Sequence, residues 1–193
     1  KKAQNNPEQN YYFIIDEINR GNVAKVFGEL MMLIENNKRG KNNSITLIYS
    51  ENDEKFYIPE NLYIIGTINT SDNTLEEIGY PLRRRFVFID IEPVFENEDL
   101  RNYFGDYIGV EMAEKVICKM SYLNKIIEKD SQLGKKYKIG QSYFMCEEKI
   151  EEYLVDNWYR HIIKRDIEPL LKEIMVHKKD NEVNDIIQSL IVD

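Results

Sequence analysis

The stretch Tyr11–Glu17, with the sequence Tyr-Tyr-Phe-Ile-Ile-Asp-Glu, decides how this chain is interpreted. Its first five residues are aromatic or β-branched, which is typical of a strand buried on both faces of a parallel sheet. Two carboxylates, Asp16 and Glu17, follow directly. Because parallel sheets hold their ligands at the carboxyl ends of the strands, the pair predicts an acidic site at that sheet edge. A solvated acidic turn after a buried strand is the alternative interpretation.

A second buried-type strand, Leu62–Ile68, ends in Asn69. In a nucleotide hydrolase, an aspartate such as Asp16 helps to hold Mg²⁺, and a following glutamate polarises the attacking water. An asparagine on a neighbouring strand, with its amide donors and acceptor, can hydrogen-bond a γ-phosphate oxygen or that water. Asn69 is equally well explained as a cap for the turn that follows it.

Three adjacent arginines, Arg83, Arg84 and Arg85, precede a predicted third strand over Phe86–Ile91. One guanidinium of such a cluster can reach the active site of a neighbouring subunit, where an arginine contributes about 10³–10⁵ in rate. The alternatives are a solvated basic turn and a contact with nucleic acid.

The rest of the chain divides into an α/β part and a helical part. The spacing predicts a helix over 22–37 with Asn22 as N-cap, a β-hairpin from 44–49 and 56–58, and short helical turns over 75–85. After Pro93 the strand signals end, and apolar stripes at helical spacing predict a small helical subdomain. We expect domains 1–94 and 95–193. The four stripes comprise Ala113, Val116, Ile117, Met120, Leu123 and Ile127; Ile150, Leu154, Trp158 and Ile162; Ile167, Leu170, Leu171, Ile174 and Met175; and Val183, Ile186, Ile187 and Leu190.

Composition excludes several classes of protein. The 193 residues carry a net charge of −8, the wrong sign for a chain whose main task is to grip phosphate backbones. No apolar run reaches the roughly 20 residues of a membrane span, so we expect no membrane partner. Two cysteines predict a reducing, cytoplasmic location. No cysteine–histidine spacing suits zinc, and no serine elbow offers a nucleophile.

The order of acidic strand, helix, amide-ended strand, arginine cluster and helical domain resembles the AAA+ family. Within it the chain resembles the McrB branch, the GTP-hydrolysing motors of restriction systems that act on methylcytosine. The resemblance rests on Phe13–Asn22, Val26–Glu35, Pro59–Gly66, Asn69–Asp72 and Leu82–Phe86. It implies an α/β fold consisting of a partial AAA+ core, the later half of a parallel P-loop NTPase sheet with a β-hairpin insert, followed by an all-α lid.

The resemblance also assigns roles residue by residue. Asp16 and Glu17 match the Walker B pair, with Asp16 the Mg²⁺ residue and Glu17 catalytic. Asn69 matches sensor 1. Arg84 and Arg85 match arginines that reach the nucleotide of the adjacent subunit. Asp72, in the signature after Asn69, and Arg20 are implied to lie at the nucleotide or at a subunit boundary.

Several positions depart from the family pattern. Ser71 replaces an alanine, Asn73 an arginine and Gly79 an aspartate, and the sensor 2 region, 140–143, carries no arginine. No Gly-x-x-x-x-Gly-Lys-Ser/Thr loop occurs, since Gly-Lys at 40–41 and 134–135 is followed by Asn42 and Lys136. We therefore expect a fragment, with the phosphate-binding loop and a DNA-binding domain upstream, which alone binds and hydrolyses little nucleotide.

The resemblance implies a GTPase, with ATP as the other nucleotide, that requires Mg²⁺, forms hexameric rings with itself and drives a McrC-like nuclease subunit. Two other functions remain open. One is an ATP-using chaperone of the MoxR type, which shares the hairpin before sensor 1. The other is a non-catalytic module that binds nucleic acid or protein.

Overall fold

The structure is a computed structural model that describes residues 1–48, 50, 54–69 and 80–192. The chain forms two compact units, Lys1–Ile89 and Asp90–Asp193. The division at 89/90 lies five residues before the predicted domain boundary at 94/95. The first unit is mixed α/β, and the second is helical.

The strands of the first unit form two small sheets. β1 (Tyr11–Ile15) pairs in parallel with β4 (Leu62–Gly66), in the register Tyr11 to Leu62 through Ile15 to Gly66. β2 (Ile45–Thr46) pairs antiparallel with β3 (Lys55–Phe56). The predicted strands at 11–15 and 62–68 and the predicted hairpin are therefore confirmed, although the second strand and the hairpin arms are shorter than expected.

One face of the parallel pair is covered in part, since Phe13 on that face is 52% exposed, and the other face is open. The prediction of a strand buried on both faces is therefore wrong for the described residues. Ile64 and Leu62 pack against a buried cluster that includes Leu33 and Ile34. On the opposite face Tyr12 and Tyr63, whose rings stack at 5.4 Å, are exposed, as are Ile14 and Ile65. The physical reason is that the helical segment after β1 lies against a single face of the sheet, and no second layer is present among the described residues.

The segment after β1 is helical but is not one continuous helix. α2 (Val23–Phe27) begins after Asn22, whose Oδ1 accepts a hydrogen bond from Lys25 N at 2.9 Å, as the predicted N-cap requires. The predicted helix over 22–37 then breaks at Gly28, where φ is +46°. A left-handed residue ends a right-handed helix, and the chain continues as 3₁₀ segments at Gly28–Ile34 and Asn36–Lys38.

Arg39 ties the end of this segment to the sheet. Its Nε and Nη2 donate to the carbonyl of Ile34 at 3.2 and 3.1 Å, and its Nη1 donates to the carbonyl of Leu62. Burial lowers the pKa of Arg39 from its ordinary value. The forked guanidinium satisfies carbonyls of two elements at once, which fixes the helical segment against β4.

The predicted third strand, Phe86–Ile91, is not a strand in the structure, and this prediction is wrong. α3 (Tyr80–Arg83) leads into an extended segment in which Val87, Ile89 and Ile91 are 87%, 82% and 93% exposed. A strand needs a hydrogen-bonding neighbour, and none of the described strands lies beside this segment. The part of the predicted helical turns at 75–79 lies outside the described residues.

The second unit is a helical domain around one apolar core. α5 (Val110–Lys129) buries the whole of its predicted stripe. In α6 (Glu152–Ile162) the predicted stripe is confirmed in part: Ile162 is buried and Ile150 and Trp158 pack against the core, whereas Leu154 is 42% exposed. Val155 and Tyr159 complete the buried face of this helix. The stripes of the last two helices line the core as predicted. The other helices are α1 (Lys2–Asn5), α4 (Glu98–Ile108), α7 (Glu168–Ile174) and α8 (Asp180–Ile191). A π-helical turn at Ile163–Ile167 continues α6.

A membrane-spanning helix must be both long and apolar, and none of the described helices combines the two.

Candidate nucleotide-hydrolysis site

The polar residues singled out in the sequence follow two neighbouring strands. Asp16 and Glu17 come directly after β1, and Asn69 lies three residues after β4. Because β1 and β4 are adjacent, parallel and in register, both strands deliver their following residues to the same edge of the sheet. β1 and β4 are direct neighbours, as the interpretation of Asn69 as an amide on a neighbouring strand requires.

Thr67 connects the end of one strand to the end of the other. Its hydroxyl donates a hydrogen bond to Asp16 Oδ1 and accepts one from the backbone N–H of Glu17 at 2.9 Å. The backbone continues the ladder, since Thr67 N donates to the Ile15 carbonyl and Ile18 N to the Thr67 carbonyl, both at 3.0 Å. One residue therefore contacts both members of the acidic pair.

Glu17 has a left-handed backbone, with φ 50° and ψ 49°. No other residue besides glycine has a positive φ in the part of the chain that the structure describes. Such a conformation is costly for a residue with a side chain and persists only where its surroundings enforce it. Here the contacts of Thr67 hold the backbone on both sides of Glu17, so the turn at the acidic pair is fixed by β4.

Close packing of Ile18 against Gly66 also holds this turn. A side chain at Gly66 would place its Cβ 3.0 Å from Ile18 Cγ2 and 3.2 Å from Ile18 Cδ1. Ile18 is buried and packs in a small cluster with Leu82. Glycine at the last position of β4 thus leaves the space that lets Ile18 anchor the 3₁₀ turn Ile18–Arg20 behind the acidic pair.

Arg20 lies in the same turn and pairs with Glu17. Arg20 Nε is 2.8 Å from Glu17 Oε2, and both side chains are substantially exposed. The structure therefore brings together Asp16, Glu17 and Arg20, which were predicted from the sequence. Thr67, which was not, joins them through its hydrogen bonds. Asn69 follows β4 at the same edge, and Asp72 lies outside the described residues.

The two arginines predicted to act across a subunit boundary differ in their surroundings. Arg84 is exposed. Arg85 is not, since its side chain is 9% exposed and its Nη2 lies 2.8 Å from Glu35 Oε1. The preceding Arg83 lies over the ring of Phe88, 5.8 Å from the centroid. In this structure Arg85 is committed to its own unit, whereas Arg84 faces solvent. The catalytic roles of both remain predictions.

The segment that the resemblance assigns to the sensor 2 region, 140–143, lies in the helical unit. Residues Gln141–Phe144 form a 3₁₀ turn, and the residue two before it, Ile139, exchanges two hydrogen bonds with the buried side chain of Asn124. Asn124 Nδ2 donates to the Ile139 carbonyl at 2.9 Å, and Ile139 N donates to Asn124 Oδ1 at 2.7 Å. The amide thus fixes the chain just before the turn.

The carboxylates at the sheet edge are the candidate ligands for a metal ion. Among the described residues no three histidine, cysteine or acidic side chains are grouped so that they could hold a metal by themselves. Mg²⁺ does not need such a group, since it is commonly bound by one or two carboxylates together with phosphate oxygens and water. A single oriented carboxylate, Asp16, fits that mode of binding.

Sequence reasoning identified the acidic pair and Asn69 but not Thr67 or Asn124. No sequence signal marked Thr67, because its place beside Asp16 follows only from the register in which Ile15 faces Gly66. Asn124 sits inside an apolar helical stripe, where a buried amide has no sequence signature beyond its position.

Comparison with known proteins gives matches for both units of the chain. Residues 2–86 match the AAA domain of the dynein-related subfamily, and residues 115–183 match the α-helical lid domain of McrB. The chain is 49% identical over 176 residues to the EcoKMcrB subunit of the type IV methyl-directed restriction enzyme of Escherichia coli K12. That match covers 90% of this chain and 38% of the relative.

A second relative is component YdiS of the type II restriction enzyme BsuMI of Bacillus subtilis 168, 33% identical over 101 residues. This match covers 47% of the chain and 29% of the relative, so the chain spans less than two fifths of either protein. The two family matches occur in the order that the two structural units occupy along the chain. The chain is McrB-like, with residues of an AAA domain followed by an all-helical McrB lid.

Proposed function

We propose that this chain works, within a longer protein of the kind its relatives represent, as the motor segment of an AAA+ nucleoside triphosphatase in DNA restriction. The observation that carries the proposal is the adjacent parallel pair β1–β4, which brings Asp16 and Glu17 to the same edge as the residues after β4. The family match adds the expectation of a ring of identical subunits. The resemblance favours GTP over ATP.

In this proposal Asp16 contributes one ligand to Mg²⁺, and the metal, when bound, neutralises charge on the nucleotide phosphates. Glu17 orients and polarises the attacking water, and Asn69 hydrogen-bonds that water or a phosphate oxygen. The phosphate-binding loop comes from another part of the longer protein, because this sequence contains none.

The exposed Arg84 supports a role across a subunit boundary more strongly than the ion-paired Arg85 does. We assign Arg84 to the nucleotide of the adjacent subunit, where a guanidinium stabilises the charge that develops during phosphoryl transfer. Arg85 in turn keeps the segment that carries Arg84 attached to its own unit through Glu35.

The proposed partners are a nuclease subunit of the McrC type and methylated DNA. The Escherichia coli relative is a subunit of a methyl-directed restriction enzyme, and the Bacillus subtilis relative is also a component of a restriction enzyme. With a net charge of −8, this segment is unsuited to hold DNA by itself, so DNA contacts are assigned to other parts of the assembly.

The test uses the full-length protein and the variant Glu17→Gln. The wild type is expected to hydrolyse GTP, and ATP more slowly, in the presence of Mg²⁺. Glu17→Gln is expected to bind nucleotide normally and to lose about 100-fold or more in turnover, because a positioned base contributes about 10²–10⁴-fold. The control Glu114→Gln removes the acid of an equally exposed ion pair, with Arg101 in the helical unit, and is expected to leave turnover unchanged.

Absence of hydrolysis in the wild type would support the non-catalytic module, and a preference for ATP would support the MoxR-type chaperone. Mixing subunits tests Arg84. Rings of Arg84→Ala alone and of Glu17→Gln alone are expected to be inactive, whereas mixed rings regain partial turnover at interfaces that combine an intact Glu17 with an intact Arg84. No recovery on mixing would assign Arg84 to its own subunit.

A further inference from the structure

We propose that Thr67 is a positioning residue that sets the metal-binding carboxylate and the catalytic glutamate in one arrangement. This inference rests on the proposed function. Neither the motif that singled out the site nor the comparisons assign a role to Thr67, and the contacts of its hydroxyl with Asp16 and Glu17 carry the proposal.

The hydroxyl is suited to this task because one oxygen both donates and accepts. Its hydrogen is directed to Asp16 Oδ1, and a lone pair receives the backbone N–H of Glu17 at 2.9 Å. The first contact sets the rotation of the Asp16 carboxylate, and the second sets the peptide that carries Glu17. Metal ligands are commonly oriented in this way by outer hydrogen-bonding groups, whose loss costs about 10–100-fold in metal affinity or activity.

The second contact restrains the left-handed backbone of Glu17. Its left-handed conformation, at φ 50°, is not one that a glutamate adopts without help. Thr67 Oγ1 accepts a hydrogen bond from the backbone N–H of Glu17, so losing the hydroxyl removes a restraint on the turn. The Glu17 carboxylate would then sample more directions relative to Asp16.

The exposure of Thr67 argues against a merely structural role for its side chain. Thr67 is exposed, so its side chain contributes little apolar burial to the fold. The main chain of the same residue keeps its ladder bonds to Ile15 and Ile18 whatever the side chain is. Removing the hydroxyl is therefore expected to alter the site much more than the stability of the first unit.

The experiment compares Thr67→Val, which keeps the β-branched shape and removes the hydroxyl, with Thr67→Ser, which keeps the hydroxyl. Thr46→Val makes the same chemical change on an exposed residue of the β2–β3 hairpin and serves as the control. All are made in the full-length protein. Two quantities are measured: kcat, and the affinity for a fluorescent non-hydrolysable GTP analogue with and without Mg²⁺.

Thr67→Val is expected to lose about 10–100-fold, either in kcat or in the gain of analogue affinity that Mg²⁺ provides. Its analogue affinity without Mg²⁺ is expected to stay within about threefold of the wild type, because the phosphate-binding loop is untouched. Thr67→Ser and Thr46→Val are expected to match the wild type in both measurements. If Thr67→Val does not fold, Thr67→Ala replaces it in the comparison with Thr67→Ser, since that pair differs only in the hydroxyl.

Three outcomes overturn the inference. Thr67→Val equal to the wild type shows that the hydroxyl is not needed, and equal losses in Thr67→Ser and Thr67→Val show that the methyl group matters instead. A wild type without hydrolysis or nucleotide binding overturns the proposed function and this inference together. The two failures are distinguishable, because a hydrolysing wild type with an inactive Glu17→Gln keeps the proposed function even when Thr67→Val is unaffected.

Discussion

Arg20 and Glu17 form an ion pair within one turn, with Arg20 Nε 2.8 Å from Glu17 Oε2. The side chains are 64% and 42% exposed, respectively. Exposed pairs of this kind contribute only about 0–1 kcal/mol, because water and salt screen them. The carboxylate assigned to catalysis is therefore held by a contact that breaks at little cost, while its backbone is held firmly through Thr67.

This difference predicts that Glu17→Gln separates activity from stability. Its melting temperature is expected to stay near that of the wild type, with a change in unfolding free energy below about 1 kcal/mol. Thermal unfolding of the wild type, Glu17→Gln and Glu114→Gln provides the measurement. A loss above about 2 kcal/mol in Glu17→Gln alone would mean that the Glu17 side chain supports the turn and that its kinetics cannot be attributed to chemistry.

We expect substitutions of Asn124 to lower the stability of the helical unit strongly. Its side chain is 7% exposed, and it satisfies both backbone groups of Ile139, which is itself buried. Asn124→Leu keeps the size and leaves a buried N–H and a buried carbonyl without these bonds, so we expect a loss of about 2–4 kcal/mol.

Chemical denaturation measures that loss, with Asn102→Leu, on the exposed side of α4, as the matched control. The control is expected to change stability by less than about 0.5 kcal/mol. Equal effects of the two variants would show that the exchange with Ile139 contributes nothing to the fold.

Asp130 predicts a pH-dependent contribution to stability. A hydrogen bond from Lys178 holds the pKa of Asp130 well below its usual range, opposed by burial and assisted by the backbone N–H of Gln132 and by His177. A carboxyl whose pKa is lower in the folded state stabilises the fold above its unfolded pKa of about 3.9, and that stabilisation is lost as the pH falls toward the folded pKa.

Asp130→Asn is accordingly expected to be less stable than the wild type by about 1–3 kcal/mol at pH 7. The difference is expected to narrow steadily below about pH 4. Melting temperatures of both proteins between pH 2.5 and 7 check this, with Asp106→Asn on the exposed face of α4 as control. A difference that does not vary with pH would show that shape, and not charge, explains the effect.

Much of the secondary structure could be predicted from periodicity. The stripe from Ala113 to Ile127 specifies α5, because a helix that buries one face needs apolar residues at that spacing. The run Tyr11–Ile15 specifies β1 for a different reason, because aromatic and β-branched residues favour strands. What periodicity could not give was the exposure of Tyr12 and Ile14, since burial depends on whether another layer covers that face of the sheet.

The errors have local causes. Gly28 stands among apolar residues at helical spacing, and spacing does not reveal that its φ is positive. Phe86–Ile91 is an almost wholly apolar run of aromatic and β-branched residues, as buried strands are, but a strand requires a neighbour. For the site, Asp16 and Glu17 were accessible because acids after an apolar run are conspicuous. Thr67 was not, since its importance arises only from the register of β1 against β4.

We expect Arg85 to matter for stability and Arg84 for activity. Arg85 is paired with Glu35 and nearly inaccessible to solvent, whereas Arg84 is exposed. Removing one partner of a largely buried pair leaves the other charge poorly compensated. Arg85→Met is therefore expected to cost about 1–3 kcal/mol of unfolding free energy, and Arg84→Met less than about 0.5 kcal/mol.

The charge pair itself is isolated by a double-mutant cycle of Arg85→Met, Glu35→Gln and the combined variant, since coupled residues give non-additive losses. We expect the combined variant to be destabilised less than the sum of the two single variants, by about 1 kcal/mol or more. In hydrolysis assays Arg84→Met is expected to lower turnover in a protein of unchanged stability, because the proposed role places this exposed guanidinium at the nucleotide of the adjacent subunit. If instead Arg85→Met retained full stability and Arg84→Met did not, Arg85 would take the place of Arg84 as the arginine offered to the neighbouring nucleotide.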